Sequence, residues 1–248
     1  MNNPSEEQPV NPYSPQASAA RPFWKKKRWV ILAILLALPV FLYWYFWLDY
    51  GPYRWNQKLT VVVETPQGIK TGSSVVSVSW RKNDPIGAAN GAAWIGRVKG
   101  EATVVDLGSG RYVFALLKNA KTLAFKSVIQ KKRANPAPEE LNEIRNSIGR
   151  VFPIAPSDYP LLVTFEDIND PASVMQVDPN DLSVSFGPDI TLKSITLEIA
   201  EEPVTEDVIE TVLEWLGMYP ETGLCKLRKN LNPIPLCRQI KNGSFIRR

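Results

Sequence analysis

Residues Trp29 to Leu48 read WVILAILLALPVFLYWYFWL, twenty consecutive positions without a charge. A helix rises about 1.5 Å per residue, so this run is about 30 Å long, the thickness of a bilayer's hydrocarbon core. It predicts one transmembrane helix over 29–48 with a large domain on its far side. A soluble buried helix seldom runs so long without a polar residue. A cleaved signal peptide has a shorter apolar stretch, roughly 7–15 residues, followed by small residues. Here the stretch ends in Tyr43-Trp44-Tyr45-Phe46-Trp47. The expectation is an uncleaved signal anchor.

Basic residues set its direction. Arg21 and Lys25 to Arg28 precede the run, whereas Asp49 to Gly68 hold only Arg54 and Lys58 as cations. Positive charge stays in the cytoplasm, which predicts the N-terminus inside and the C-terminal domain outside. Trp24 and Trp29 would lie at the inner interface, and Tyr43, Trp44, Tyr45, Trp47 and Tyr50 at the outer one. Pro39 removes a backbone hydrogen bond and predicts a kink. No Asp, Glu, Lys or Arg lies inside the run, which argues against an ion path through it.

Residues 1–28 read as a disordered cytoplasmic tail with a basic stop, rich in Pro, Asn, Ser and Gln. They carry a net charge of +3 out of the chain's +4. The basicity is therefore mostly a topology signal. The remainder is close to neutral and is not a polyphosphate-binding surface, so no nucleic-acid partner is expected. The chain contains no histidine, which excludes Ser-His-Asp and Cys-His catalysis and His-ligated metals.

Residues 49–57 read as a juxtamembrane connector and 58–248 as a periplasmic domain. Leu59–Glu64 is a β-branched strand, Pro66-Gln67-Gly68 a turn, and Ser73–Trp80 a half-buried strand with Val76, Val78 and Trp80 on one face. Residues 86–100 hold four of the fourteen glycines and predict a flexible loop with Trp94 and Ile95 near its tip. Residues 101–107 and 111–117 form a hairpin around a three-residue Gly108-Ser109-Gly110 loop. Asn135 caps a helix in which Leu141, Ile144 and Ile148 share a face before Gly149 stops it; residues 119–133 are ambiguous. Residues 161–165 and 192–200 are strands, the second with a bulge. Thr205 caps a second helix running to about Trp215. The tail after Gly223 reads as irregular. The fold class expected is α+β: one N-terminal transmembrane helix, then a β-rich, mostly antiparallel domain.

Three constellations bear on function. Glu166-Asp167-Ile168-Asn169-Asp170-Pro171 follows a strand, and Asp167, Asn169 and Asp170 offer hard oxygen ligands suited to calcium. The competing and favoured reading is that these residues are turn formers bonding their own backbone. The same carboxylates would also serve an acid–base pair in a hydrolase, a weaker reading. Trp94 and Ile95, at an exposed tip, mark a partner contact. Cys225 and Cys237, the two cysteines of the chain, would pair in an oxidising compartment, against the alternative of two free thiols in a loop.

The segments VVVETPQGIKTGSSVVSV at 61–78, GEATVVDLGSGRYVFALL at 100–117 and VTFEDINDPASVMQVDPNDLSVSFGPDI at 163–190 resemble a family of uncharacterised single-span proteobacterial inner-membrane proteins. That resemblance implies a Gram-negative inner membrane and a periplasmic domain, and it brings no activity. Gly68-Ile69-Lys70-Thr71-Gly72-Ser73-Ser74-Val75 is also similar to the early Gly-Leu-x-x-Gly-x-x-Val of the MCE lipid-transport domain, which implies lipid handling as an alternative. The function expected first is a non-enzymatic, membrane-anchored binding or scaffold module, with the lipid bilayer and other membrane or periplasmic proteins as partners and no cofactor.

Overall fold

The computed structural model describes residues 23–50, 52–83, 94–131, 136–218, 223–225 and 236–248. The chain divides into two compact units, Met1–Asp49 and Tyr50–Arg248.

All of α1 (Phe23–Tyr50) but its last residue belongs to the first unit, and the helix continues unbroken through Pro39. Side chains are described for residues 29–44 of α1, and all sixteen are exposed. Among the described residues no helix is long and apolar enough to cross a membrane. Of the tail expected to be disordered over 1–28, residues 23–28 belong to α1, whose helix starts ahead of the apolar run, and residues 1–22 lie outside the described residues, as do the side chains of Trp24, Tyr45, Trp47 and Tyr50.

The second unit is α+β, β-rich and antiparallel in every strand pairing. β1 (Tyr53–Thr65) and β2 (Gly68–Lys82) form a long hairpin. Residues 53–57 thus belong to β1 and not to a connector. The reason is that Trp55 and Gln57 continue the inward alternation of Leu59, Val61 and Val63. Val76, Val78 and Trp80 are buried on one face of β2, as their spacing predicts, with Ser77 and Ser79 half-exposed on the other.

β3 (Trp94–Glu101) occupies the second half of the expected glycine-rich loop; residues 84–93 lie outside the described residues. β4 (Thr103–Gly108) and β5 (Arg111–Ala115) form the expected hairpin. Its loop has two residues and not three, because Gly108 pairs with Arg111. Ser109 (φ 56) and Gly110 (φ 73) both take positive φ, the geometry of a type I′ turn.

The ambiguous stretch contains α2 (Ala120–Ser127). The helix α3 (Pro138–Arg145) starts later than expected; Asn135 lies outside the described residues. The start is held by Glu140, whose carboxylate accepts the Ala137 N–H at 3.0 Å. Leu141 and Ile144 are buried, but Ile148 is 52 % exposed because the helix has already ended and Ile148 forms a parallel bridge to Ile199.

β6 (Val151–Pro153), β7 (Leu162–Phe165), β8 (Val174–Gln176), the short α4 (Ser183–Phe186) and β9 (Thr191–Ala200) come next. The bulge in β9 is present: Val62 faces Ser194 and Val63 faces Leu192, leaving Lys193 extra. The second expected helix shrinks to α5 (Val208–Val212). Thr205 is not its cap, because the Thr205 N–H and hydroxyl are spent on the backbone of Val75 at 3.0 and 2.9 Å. The tail expected to be irregular contains α6 (Leu236–Gln239) and β10 (Ile246–Arg247).

One sheet has the order β10-β3-β2-β1-β9-β6, the other β4-β5-β7-β8. They meet where β4 crosses β2. A Cβ on Gly72 would overlap the Val104 carbonyl oxygen, so glycine is what permits the crossing. Beside it the hydroxyls of Ser74 and Thr103 bond at 2.7 Å. The core holds two aromatic groups. Trp55 and Trp80 stand edge-on to Phe125. Phe114, Phe165 and Phe245 pack together, and Phe165 also meets Trp215.

Candidate functional site

The free edge of β3 and the C-terminal tail together make the most distinctive surface of the second unit. Side chains alternate along a strand. Trp94, Gly96 and Val98 take the core-facing side of β3, shared with Trp80 across the pair Trp80–Gly96. Ile95, Arg97 and Lys99 take the other, with Arg97 and Lys99 exposed. Trp94 and Ile95 therefore do not form a joint tip. Trp94 packs on Tyr53, ring centroids 5.9 Å apart, and Ile95 faces the opposite way. The signal was in the alternation itself, masked by the glycines around it.

β2 covers one edge of β3 from Trp94 to Lys99. On the outer edge, among the described residues, β10 pairs with Gly100 and Glu101 alone. The tail reaches that point because Phe245 is wholly buried between Phe114 and Phe165. The Phe245 carbonyl accepts the Ala102 N–H at 2.7 Å. The Glu101 carboxylate, buried itself, accepts the N–H groups of Asp207 and Ile209 and so caps α5. Arg248 pairs with Glu210 at 2.7 Å and Lys99 with Glu206 at 3.0 Å.

Between the outer edge of β3 and the tail lies an open cavity of about 580 Å³. Arg97, Lys241, Arg247 and Arg248 line it together with the backbone of Gly96 and Gly243, and among the described residues no Asp or Glu does. A unit with little net charge has thus gathered one sign in one groove, which concentrates positive potential there. No protein-family model, no curated protein and no solved structure matches the chain. What the groove does must be read from its own chemistry: guanidinium and ammonium donors beside an open strand edge, suited to holding an extended anionic ligand.

A smaller cavity of about 290 Å³ adjoins it, with Glu101, Glu206 and Asp207 on its wall. Ligand oxygens of Glu101, Asp207 and Glu210 lie within 4.8 Å of one another. Their geometry already has an account: Glu101 caps α5, and Glu210 holds Arg248.

The expected calcium residues lie in the turn after β7. Asp167 accepts the Asn169 N–H and Asp170 the Ala172 N–H, each at 2.9 Å. Asp178 accepts the Asn180 N–H in the same way. These are side chains bonding backbone two residues on, the turn chemistry of Asp before Asn and Pro. Cys225 and Cys237 are joined as a disulfide, Cα atoms 5.5 Å apart, and the Cys237 carbonyl accepts the Leu224 N–H at 2.7 Å. The bridge ties the tail to the segment behind it.

Among the described residues two groups are shifted from their ordinary values, and neither lines the groove. The hydrogen bond to Glu202 raises Lys58. Burial pushes the Glu140 carboxyl up, but the Lys131 ammonium and the Ala137 N–H outweigh it, and the carboxyl ends below the usual range.

Proposed function

We propose that the chain is a membrane-anchored periplasmic binding or scaffold module of a bacterial inner membrane, non-enzymatic, held by residues 29–48 with its N-terminus in the cytoplasm. The observation that carries the reading is the pairing, in one chain, of an N-terminal helix apolar on every described side with a β-rich unit bearing a one-signed open groove. A helix hydrophobic all round is at home in lipid or in a large core. All of its described side chains are exposed, which favours lipid. The tetrad Lys25 to Arg28 supports the inward direction of the N-terminus.

The groove supports binding over catalysis. Its side chains are cations, whereas hydrolysis by paired carboxylates requires an acid and a base facing one substrate. The resemblance to single-span proteobacterial proteins is the ground for the Gram-negative address. Protease added to intact spheroplasts carrying the full chain, followed with a C-terminal tag, tests the reading. Loss of the tag with survival of a membrane-bound N-terminal fragment is expected. Full protection of the tag would overturn both compartment and anchor direction.

A further inference from the structure

We propose that the groove beside β3 takes an extended acidic peptide of a partner protein, which adds to the sheet as a strand. The inference rests on the reading of the chain as a binding module and names its ligand.

The outer edge of β3 is open from Trp94 to Lys99 among the described residues, beyond the two-residue pairing with β10. A strand rises about 3.4 Å per residue, so this edge offers about 20 Å, room for a six-residue partner strand. An edge strand presents unpaired N–H and C=O groups in a row, the template used in recognition by strand addition. β10 already shows that this edge accepts a strand: Ile246 and Arg247 pair with Glu101 and Gly100, next to the open length that begins at Lys99.

Charge selects the occupant. Arg248 is neutralised by Glu210 and Lys99 by Glu206. Arg97 and Lys241 have no carboxylate partner among the described residues, and Arg247 spends its Nε–H on the Gly243 carbonyl at 3.0 Å, leaving its terminal N–H groups for a ligand. Side chains on one face of a strand recur every second residue, so a segment with Asp or Glu at alternate positions meets these cations.

Edge lysines and arginines also serve merely to keep sheets from joining. That role does not require a folded tail to wall the edge into a groove, and here residues 241–248 do so. A single phosphate group would use a compact set of converging donors; here Arg97 stands on β3, and Lys241 and Arg247 stand on the tail that forms the other wall.

The test uses the full chain in neutral detergent micelles and fluorescence anisotropy. The probe is a labelled ten-residue peptide alternating threonine and glutamate. Its controls are the threonine–lysine counterpart and two acidic versions N-methylated on alternate residues, one in each phase. Saturable binding of the acidic peptide is expected, with no binding of the basic one and loss of binding for the N-methylated version that blocks the paired edge. The double variant Arg97→Gln, Lys241→Gln should weaken binding roughly fivefold, as two exposed ion pairs would, with an unchanged thermal melt. Four outcomes overturn the proposal: no binding of the acidic peptide, equal binding of both N-methylated versions, an unaltered double variant, or displacement of the peptide by phosphatidylglycerol vesicles. If the peptide fails while spheroplast proteolysis still removes the tag, the anchored module stands and this ligand alone falls.

Discussion

Gly96 lies against the face of the Trp80 indole, so close that a Cβ at Gly96 would stand 2.8 Å from the Trp80 ring. The two are cross-strand partners in β2 and β3. Trp80 is buried, its Nε1 has no hydrogen-bond partner among the described residues, and packing alone holds the ring. The glycine of β3 is therefore a seat for the tryptophan of β2, and it also lines the basic groove.

Replacing Gly96 with Val should force the indole off its seat. Overpacking of this kind costs about 1–3 kcal/mol. The expected result is a lower urea midpoint at unchanged slope, read from tryptophan fluorescence. Stability equal to the parent chain would show that the ring has room to move.

Gln57 links two parts of the core. Its Oε1 accepts the Trp55 Nε1–H at 3.0 Å and its Nε2 donates to the Ala120 carbonyl at 2.8 Å. Gln57→Leu keeps the volume but leaves the Trp55 indole N–H buried without a partner and takes from the Ala120 carbonyl the donor it has besides its own helix. Such an orphan costs about 1–3 kcal/mol. The melt should fall accordingly, and Gln57→Leu should be worse than Leu59→Val, which removes a single methylene group at about 0.5–1.5 kcal/mol.

Glu140 joins α3 to Lys131 at 2.7 Å and holds the Ala137 N–H. Its carboxyl is depressed in the folded state. The linked stability is thus present above the unfolded glutamate value of about 4.3 and is lost as pH falls through the lower folded value. Acid titration of the melt should show this loss in the parent chain. In Glu140→Gln the loss from this group should vanish, with a cost at neutral pH of about 0.5–1 kcal/mol, since the pair is partly exposed. An identical acid limb in both proteins would count against the linkage.

The disulfide Cys225–Cys237 closes a short loop, sequence separation 12. Opening it with reductant, or in the Cys225→Ser, Cys237→Ser pair, should cost about 2–4 kcal/mol through the unfolded chain's regained freedom. Hydrogen exchange should then report earlier opening of the Phe245–Arg247 tail than of β1 and β2. Uniform exchange across the domain would separate the bridge from the tail.

Local periodicity accounts for what was legible in advance. The β1–β2 hairpin and the buried face Val76, Val78, Trp80 arise from alternation and a Pro-Gln-Gly turn, signals carried within a few residues. The bulge in β9 showed as a slip between Leu192 and Ile195 in the same way. Errors came where a side chain answered to a distant partner. Thr205 has the chemistry of a helix cap, yet it bonds Val75. The cap of α5 is Glu101, a residue from the end of β3. Neither exchange leaves a mark on nearby sequence.

The candidate groove was illegible for the same reason. Arg97 and Lys241 come from opposite ends of the domain and meet because Phe245 is buried among Phe114 and Phe165 and draws the tail to β3. Composition read this domain as nearly neutral, and so it is on average.

Chain order alone established the charge-free run near the amino end, the lack of histidine, and the antiparallel, strand-rich character of the residues beyond that run. Each depends on residue identity or on neighbours a few positions apart. Which strand edge stays open and which cations keep no carboxylate partner among the described residues, and where the basic groove lies, were decided by folding. Those properties belong to contacts between remote segments, and a contact of that kind exists only once burial has brought its two sides together.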